Sequence, residues 1–165
     1  MSAAAYVLVR FSHPDKLVPA IAVLKACPQV QRWDAVEGRH FQLVLKLHPP
    51  VAPLPDAIRQ IDGMRELTTF KIVADVDHGA TLTPQLCHAY LFIECEPGKL
   101  DSVTAVLDGL EQVATCSQVR GGCDLVVIVR GDSFQAIDRF VNDKIQHLDG
   151  ILRLKKNRVI DLKQL

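Results

Sequence analysis

The chain carries no excess of either charge: 19 Lys and Arg stand against 19 Asp and Glu in 165 residues, a formal net charge of zero. There is no field of one sign to draw in nucleic acid, an anionic membrane or an acidic substrate. No apolar run reaches the roughly 18 residues of a membrane-spanning helix. Met1-Ser2-Ala3-Ala4-Ala5 has no charged region ahead of a signal core, so a soluble cytoplasmic protein is expected. The five cysteines, Cys27, Cys87, Cys95, Cys116 and Cys123, are odd in number and hold no C-x-x-C pair, which fits reduced, buried thiols better than a disulfide frame. Cys116 and Cys123 flank one expected hairpin, and facing each other across it they would form a redox-sensitive pair; inert thiols are the expectation.

Catalytic signals are missing too. Ser117 and Ser133 have no base beside them in sequence, and there are no paired carboxylates at helical spacing and no phosphate loop, so the chain is not expected to be an enzyme. His13, His40, His48, His78, His88 and His147 show no metal-ligand spacing, and no metal or other cofactor is expected. His40 stands apart because it falls in a turn that matters below.

What the chain has is apolar sequence, 48% of residues, ample for a core in one domain or two small ones. The most informative run is Gly121-Gly122-Cys123-Asp124 followed by Leu125-Val126-Val127-Ile128-Val129. Two glycines allow a sharp turn with exposed amides, and an aspartate then stands at the mouth of a strand too rich in β-branched residues to lie on a surface. Around it, Ala89–Cys95 reads as a strand. Leu100, Val103, Val106, Leu107 and Leu110 fall at helical spacing, and Val113–Val119 and Leu125–Val129 read as two strands. Asp132-Ser133 can cap a second helix whose face holds Phe134, Ile137, Phe140, Val141, Ile145 and Leu148. Gly150 ends that helix, and Leu152–Leu162 alternates as a last strand. This order is a split βαβ unit of the ferredoxin-like kind.

The same half resembles a known family. Ala89-Tyr90-Leu91-Phe92-Ile93, Pro97-Gly98-Lys99, Val119-x-Gly121-x-x-Asp124-Leu125 and Leu148-Asp149-Gly150-Ile151, in that order and spacing, are similar to the effector-binding domain of the Lrp/AsnC transcription regulators. Two departures from the family's pattern stand out: Cys123 is where an aromatic is common, and Leu154 and Lys156 replace threonines of the last strand. The resemblance implies a ferredoxin-like fold and a small effector, an amino acid or similar, at the turn. It also implies association with further copies or with a regulator of that family. The family's helix-turn-helix has no counterpart ahead of a first strand that begins near Ala5, so direct DNA binding is not expected, nor is a membrane partner.

The first half repeats the second. Ala5–Phe11 parallels Ala89–Cys95, and Pro14-Asp15-Lys16-Leu17 parallels Pro97-Gly98-Lys99-Leu100. Leu17, Ile21, Val23 and Leu24 follow as Leu100, Val103, Val106 and Leu107 do. Val36-Glu37-Gly38 parallels Val119-Arg120-Gly121, Leu43–Leu47 the later apolar strand, and Ile61-Asp62-Gly63-Met64 parallels Leu148-Asp149-Gly150-Ile151. These correspondences in one order read as an internal duplication. The expected organisation is a divergent first unit over 1–76, a linker over 77–86 and a second unit over 87–165. The fold class is α+β, two ferredoxin-like βαββαβ units packed as a dimeric α/β barrel, an intramolecular pseudo-dimer in which each sheet's apolar second face is covered.

The candidate ligand-binding residues are Gly121, Gly122, Cys123 and Asp124. Glycine amides there can take a carboxylate, while Asp124 either takes an ammonium or fixes the loop as a turn residue. The first-copy counterpart is Gly38, His40, Phe41 and Gln42, where the carboxylate is gone, so one working site per chain is expected. Lys155, Lys156 and Arg158 read as protection of an edge strand. The competing reading is a barrel enzyme or a haem- or tetrapyrrole-binding protein using the cavity between the sheets, with His40 or His88 as the working residue.

Overall fold

In a computed structural model, residues 4–77 and 85–160 are described. Residues 78–84, which include His78 and most of the expected linker, and residues 161–165 lie outside them. Two compact units are present: one runs to Ile72 and takes in Ile160, and the other is Val73–Val159.

The first unit contains β1 (Ala5–Phe11), a 3-10 turn at Pro14–Lys16, α1 (Leu17–Leu24), β2 (Val30–Ala35), β3 (Leu43–Leu47), α2 (Asp56–Arg59) and most of β4 (Met64–Asp77), whose residues from Val73 on belong to the second unit. Its antiparallel order is β2-β3-β1-β4. The second contains β5 (Cys87–Cys95), α3 (Leu100–Asp108), β6 (Val113–Arg120), β7 (Leu125–Gly131), α4 (Phe134–Phe140) and β8 (Ile151–Arg158), ordered β6-β7-β5-β8. Each unit is therefore βαββαβ, as the alternation of strand and helix periods requires. A π-helical turn, Val141–Ile145, extends α4, and the Ser133 hydroxyl caps its start by accepting from Ala136 N at 3.0 Å.

Period-2 alternation places one set of side chains from each central strand under the helices. Val7, Val9 and Phe11 meet Leu43, Leu45 and Leu47 and pack on Ala20, Ile21, Leu24 and Ile58. In the second unit Ala89, Leu91 and Ile93 meet Val127 and Val129 and pack on Val103, Leu107, Ile137 and Ile145. The opposite faces are buried as well: Tyr6 and Ile128 are 0% exposed and Tyr90 is 1%. This explains why these strands read as unbroken apolar runs. Lys46 interrupts that pattern at the register position of Ile128. It is buried, with Nζ 5.5 Å from the Tyr6 ring centroid, a cation–π placement beside the Arg32–Asp34 pair at 2.9 Å. Val23 and Val106, read from the sequence as inward positions, face out instead.

The units repeat hydrogen bonds as well as elements. Ser12 N donates to Gly63 O at 2.8 Å, as Glu96 N does to Gly150 O at 2.7 Å. Lys16 Nζ meets Asp62 at 3.1 Å, as Lys99 Nζ meets Asp149 at 3.2 Å. Each lysine stem lies over the glycine that follows its aspartate, so a Cβ on Gly150 (φ +102) would meet Lys99 Cβ at 2.7 Å, whereas one on Gly98 (φ +81) meets nothing within 4 Å. Gly150→Ala adds a steric overlap to backbone strain and is expected to cost about 3 kcal/mol, against about 1 kcal/mol for Gly98→Ala. Denaturant unfolding of the two variants measures the difference, and equal losses would disprove the contact.

Candidate functional site

The site grows from an irregularity in β5. Pairing between β5 and β8 slips at Glu94/Cys95, and such a bulge takes a main-chain amide out of the ladder. Asp124 Oδ2 accepts from Cys95 N at 2.7 Å and supplies what the ladder does not. The backbone of Asp124 is held too: its N–H donates to Ile93 O at 2.9 Å, and its carbonyl accepts from Val119 N at 3.0 Å. Gly121, at φ +131, makes the turn between β6 and β7 that brings Asp124 there.

This turn forms one side of a pocket of about 470 Å³, a size suited to a small metabolite. Gly121, Gly122, Cys123 and Asp124, the four residues picked from the sequence, all line it. Cys95 and Val119 add a buried floor, and Glu94, Arg120 and Leu152 complete the wall. The charges are mixed. Arg120 is exposed at the rim, and Glu94 is paired with Arg153 at 3.3 Å. Burial, then the nearby Asp124 carboxylate, pushes the Cys95 thiol up to about 11; the same two causes, with Glu94 added, push Cys123 up to about 12. At neutral pH both are protonated, soft and weakly polar. The pocket therefore sets glycine backbone and one exposed arginine beside two engaged carboxylates, two thiols and Leu152.

The first unit builds the same joint with a different side chain. Pairing of β1 slips at Arg10/Phe11, and Gln42 Oε1 accepts from Phe11 N at 2.9 Å, while its Nε2 donates to Gly38 O at 2.9 Å. Gln42 N donates to Val9 O, and its carbonyl accepts from Val36 N, both at 2.9 Å. Phe41 is buried, and His40 and Gly38 are exposed. Gln42 thus reproduces the acceptor role of Asp124 without its charge. His88 lies elsewhere, buried in β5 on the face that holds Tyr90 and Phe92. Among the described residues no three His, Cys, Asp or Glu side chains are grouped to hold a metal.

The facing-pair alternative for the thiols falls away, and the edge-strand reading of the basic residues holds only in part. Cys116 stands opposite Val127 in the β6–β7 ladder and packs into the core under the helices, while Cys123 sits in the turn with its thiol on Leu125 O at 3.6 Å; the hairpin register keeps them from facing each other. The basic residues of β8 are not a uniform edge guard. Lys155 is exposed, but Lys156 and Arg158 both bind Asp138 of α4, the arginine at 3.1 Å, and Arg158 lies 4.9 Å over the Phe134 ring. Glu94, Cys95, Val119, Arg120 and Leu152 were not picked from the sequence. Arg120 and Val119 flank the glycines and were within reach of such reasoning, whereas Glu94, Cys95 and Leu152 enter only because β5 lies between β7 and β8.

Residues 88–162 match the family model of the Lrp/AsnC ligand binding domain. No curated protein matches the chain in sequence. Among solved structures, siroheme decarboxylase NirDL, in complex with an iron-uroporphyrin III analogue, aligns over 97% of this chain and 71% of its own at 13% identity and a TM-score of 0.75, so the two share a fold. AsnC of E. coli aligns over 49% of this chain and 58% of its own at 20% identity and a TM-score of 0.45. A transcriptional regulator of Neisseria meningitidis in complex with L-Met aligns over 52% and 60% at 16% identity and a TM-score of 0.46. No helix among the described residues is long and apolar enough to cross a membrane.

Asp124→Ala leaves the Cys95 amide without its acceptor and is expected to lower stability by about 1–3 kcal/mol, while Asp124→Asn keeps an acceptor oxygen and loses less than half as much. Chemical denaturation checks the pair; equal losses would mean that charge rather than the hydrogen bond matters. Lys156 and Arg158 hold the Asp138 carboxyl below its ordinary value of 3.8. That pairing stabilises the fold above pH 3.8 and is lost as pH falls through the depressed folded value. The stability gap between the wild type and Asp138→Asn should therefore shrink on acidification below pH 4, and a constant gap would refute the pairing.

Proposed function

We propose that this chain, whose residues 88–162 carry an Lrp/AsnC ligand binding domain, is an effector-sensing module that binds a small zwitterion such as an amino acid at the Gly121–Asp124 turn. It acts by associating with further copies or with a regulator whose ligand domain it resembles. The observation that carries the reading is the pocket, which lies in the matched half and is lined by all four turn residues. In it the ligand carboxylate meets the Gly121 and Gly122 backbone and Arg120, and the ammonium meets Glu94, released from Arg153. Asp124 is a positioning residue, since one of its oxygens holds the β5 bulge. We take the two units as a tandem duplication, which the repeated hydrogen bonds at Ser12 and Glu96, Lys16 and Lys99, and Gln42 and Asp124 support. One site per chain then follows: in the first copy the Gln42 amide closes onto Gly38, and a neutral amide stands where the second copy has Asp124.

A second reading rests on the fold shared over 97% of the chain with a siroheme decarboxylase. In it the chain holds a tetrapyrrole, with the buried His88 or the exposed His40 as its working residue.

A thermal-shift screen against the common amino acids and haem separates the two. A ligand at about a hundredfold excess over its dissociation constant adds about 2.7 kcal/mol, a readable shift. The sensing reading expects a shift with an amino acid that Glu94→Gln and Arg120→Ala each remove and His88→Ala leaves intact. A shift and a new absorbance band with haem alone, lost in His88→Ala or His40→Ala, would replace it with the second reading.

A further inference from the structure

The two helices that follow the first strands differ on their outer faces. In α3 the exposed positions are Asp101, Ser102, Ala105 and Val106, a mixed surface typical of a solvated helix. In α1 the corresponding positions are Val18, Pro19, Ala22 and Val23, all apolar and all exposed, with Val18 at 58% and Val23 at 60%. Ala20, Ile21 and Leu24 already bury the inner face. The helix is thus apolar on every side, which in a water-soluble domain marks a surface made to be covered.

The arrangement of this face matches itself. Read in either direction it runs valine, small residue, small residue, valine, so an antiparallel α1 about a twofold axis sets Val18 against the partner's Val23, with Pro19 and Ala22 thin enough for close approach. The charges at its ends agree. Asp15 is exposed before the helix and Lys25 is exposed after it, where α3 has Gly98 and Asp108. A twofold axis brings Asp15 of one copy to the helix end that carries Lys25 of the other. Lys25 rests 5.5 Å from the Trp33 ring centroid at an exposed site, and Lys16 is already held by Asp62, which keeps it from opposing the partner's Lys25. With no net charge on the chain, nothing repels a second copy at long range.

We propose that the outer face of α1 is an isologous interface through which two copies of this chain associate. Its four exposed positions per copy fall short of the roughly 20–30 residues a side of a standard interface, so the association is weak and concentration-dependent. It is independent of the effector pocket, which lies in the other unit.

Sedimentation velocity of the full chain over a wide concentration range, beside circular dichroism to check folding, tests this. The wild type should pass from monomer to dimer as concentration rises. Val18→Asp, which copies the residue at the same place in α3, and Val23→Lys should each raise the dissociation constant about tenfold or more. The double variant Val18→Asp/Val23→Lys should recover dimerisation, because the two new charges face each other across the axis. Any effector-induced thermal shift should survive in Val18→Asp, so failure of the interface and failure of the pocket are read separately. A wild type that stays monomeric, single variants that associate like the wild type, or a double variant no better than the singles would each overturn the proposal.

Discussion

Each unit depends on one main-chain amide being given an acceptor. Where the first strand bulges, at Phe11 and at Cys95, the amide leaves the sheet ladder, and an unsatisfied buried amide costs about as much as a lost hydrogen bond. Gln42 and Asp124 supply the acceptor from the following hairpin, at 2.9 and 2.7 Å. That single hydrogen bond ties the end of the first strand to the turn between the second and third. The turn is thereby held beside the bulge, and in the second unit the space between them is the pocket.

The same joint is built in the two units with different side chains. Glutamine and aspartate are interchangeable as acceptors, so the fold tolerates the exchange, but the amide spends its second group on Gly38 while the carboxylate keeps a charge at the pocket lip. Position 46 diverges in the same manner: a lysine stands at the register position of Ile128 and is tolerated because an aromatic face receives its ammonium. The outer face of α1 diverges in the opposite direction, from polar to apolar. Backbone geometry is kept, and side-chain chemistry is redistributed between the units.

The pocket holds two thiols together with groups of both charges. Its two thiols are held protonated by burial and by neighbouring carboxylates, which removes the thiolate that nucleophilic or redox chemistry needs. Glu94 and Arg120 stand in its wall. Lys156 and Arg158, read from the sequence as protection of an edge strand, are bound to Asp138 of α4.

The order of elements, the repeat between the halves and the turn at Gly121–Asp124 were all legible in the sequence. Strand and helix periods, glycines at positive φ and the Ser133 cap are local properties, and local properties survive translation into a string of residues. The role of Asp124 was left open between ligand group and loop fixer, because its partner, the Cys95 amide, lies 29 positions away and is set free only by a bulge that no residue type announces. The remaining wall of the pocket was hidden for the same reason: Glu94 and Leu152 join the turn only through the order β6-β7-β5-β8. The register of β6 on β7 separated Cys116 from Cys123, and the faces that α1 and α3 lay on their sheets left Val23 and Val106 outward. The sequence by itself determined which elements form and which turn is special; tertiary structure alone decided which side chains meet, because pairing register and helix orientation are properties of several segments at once.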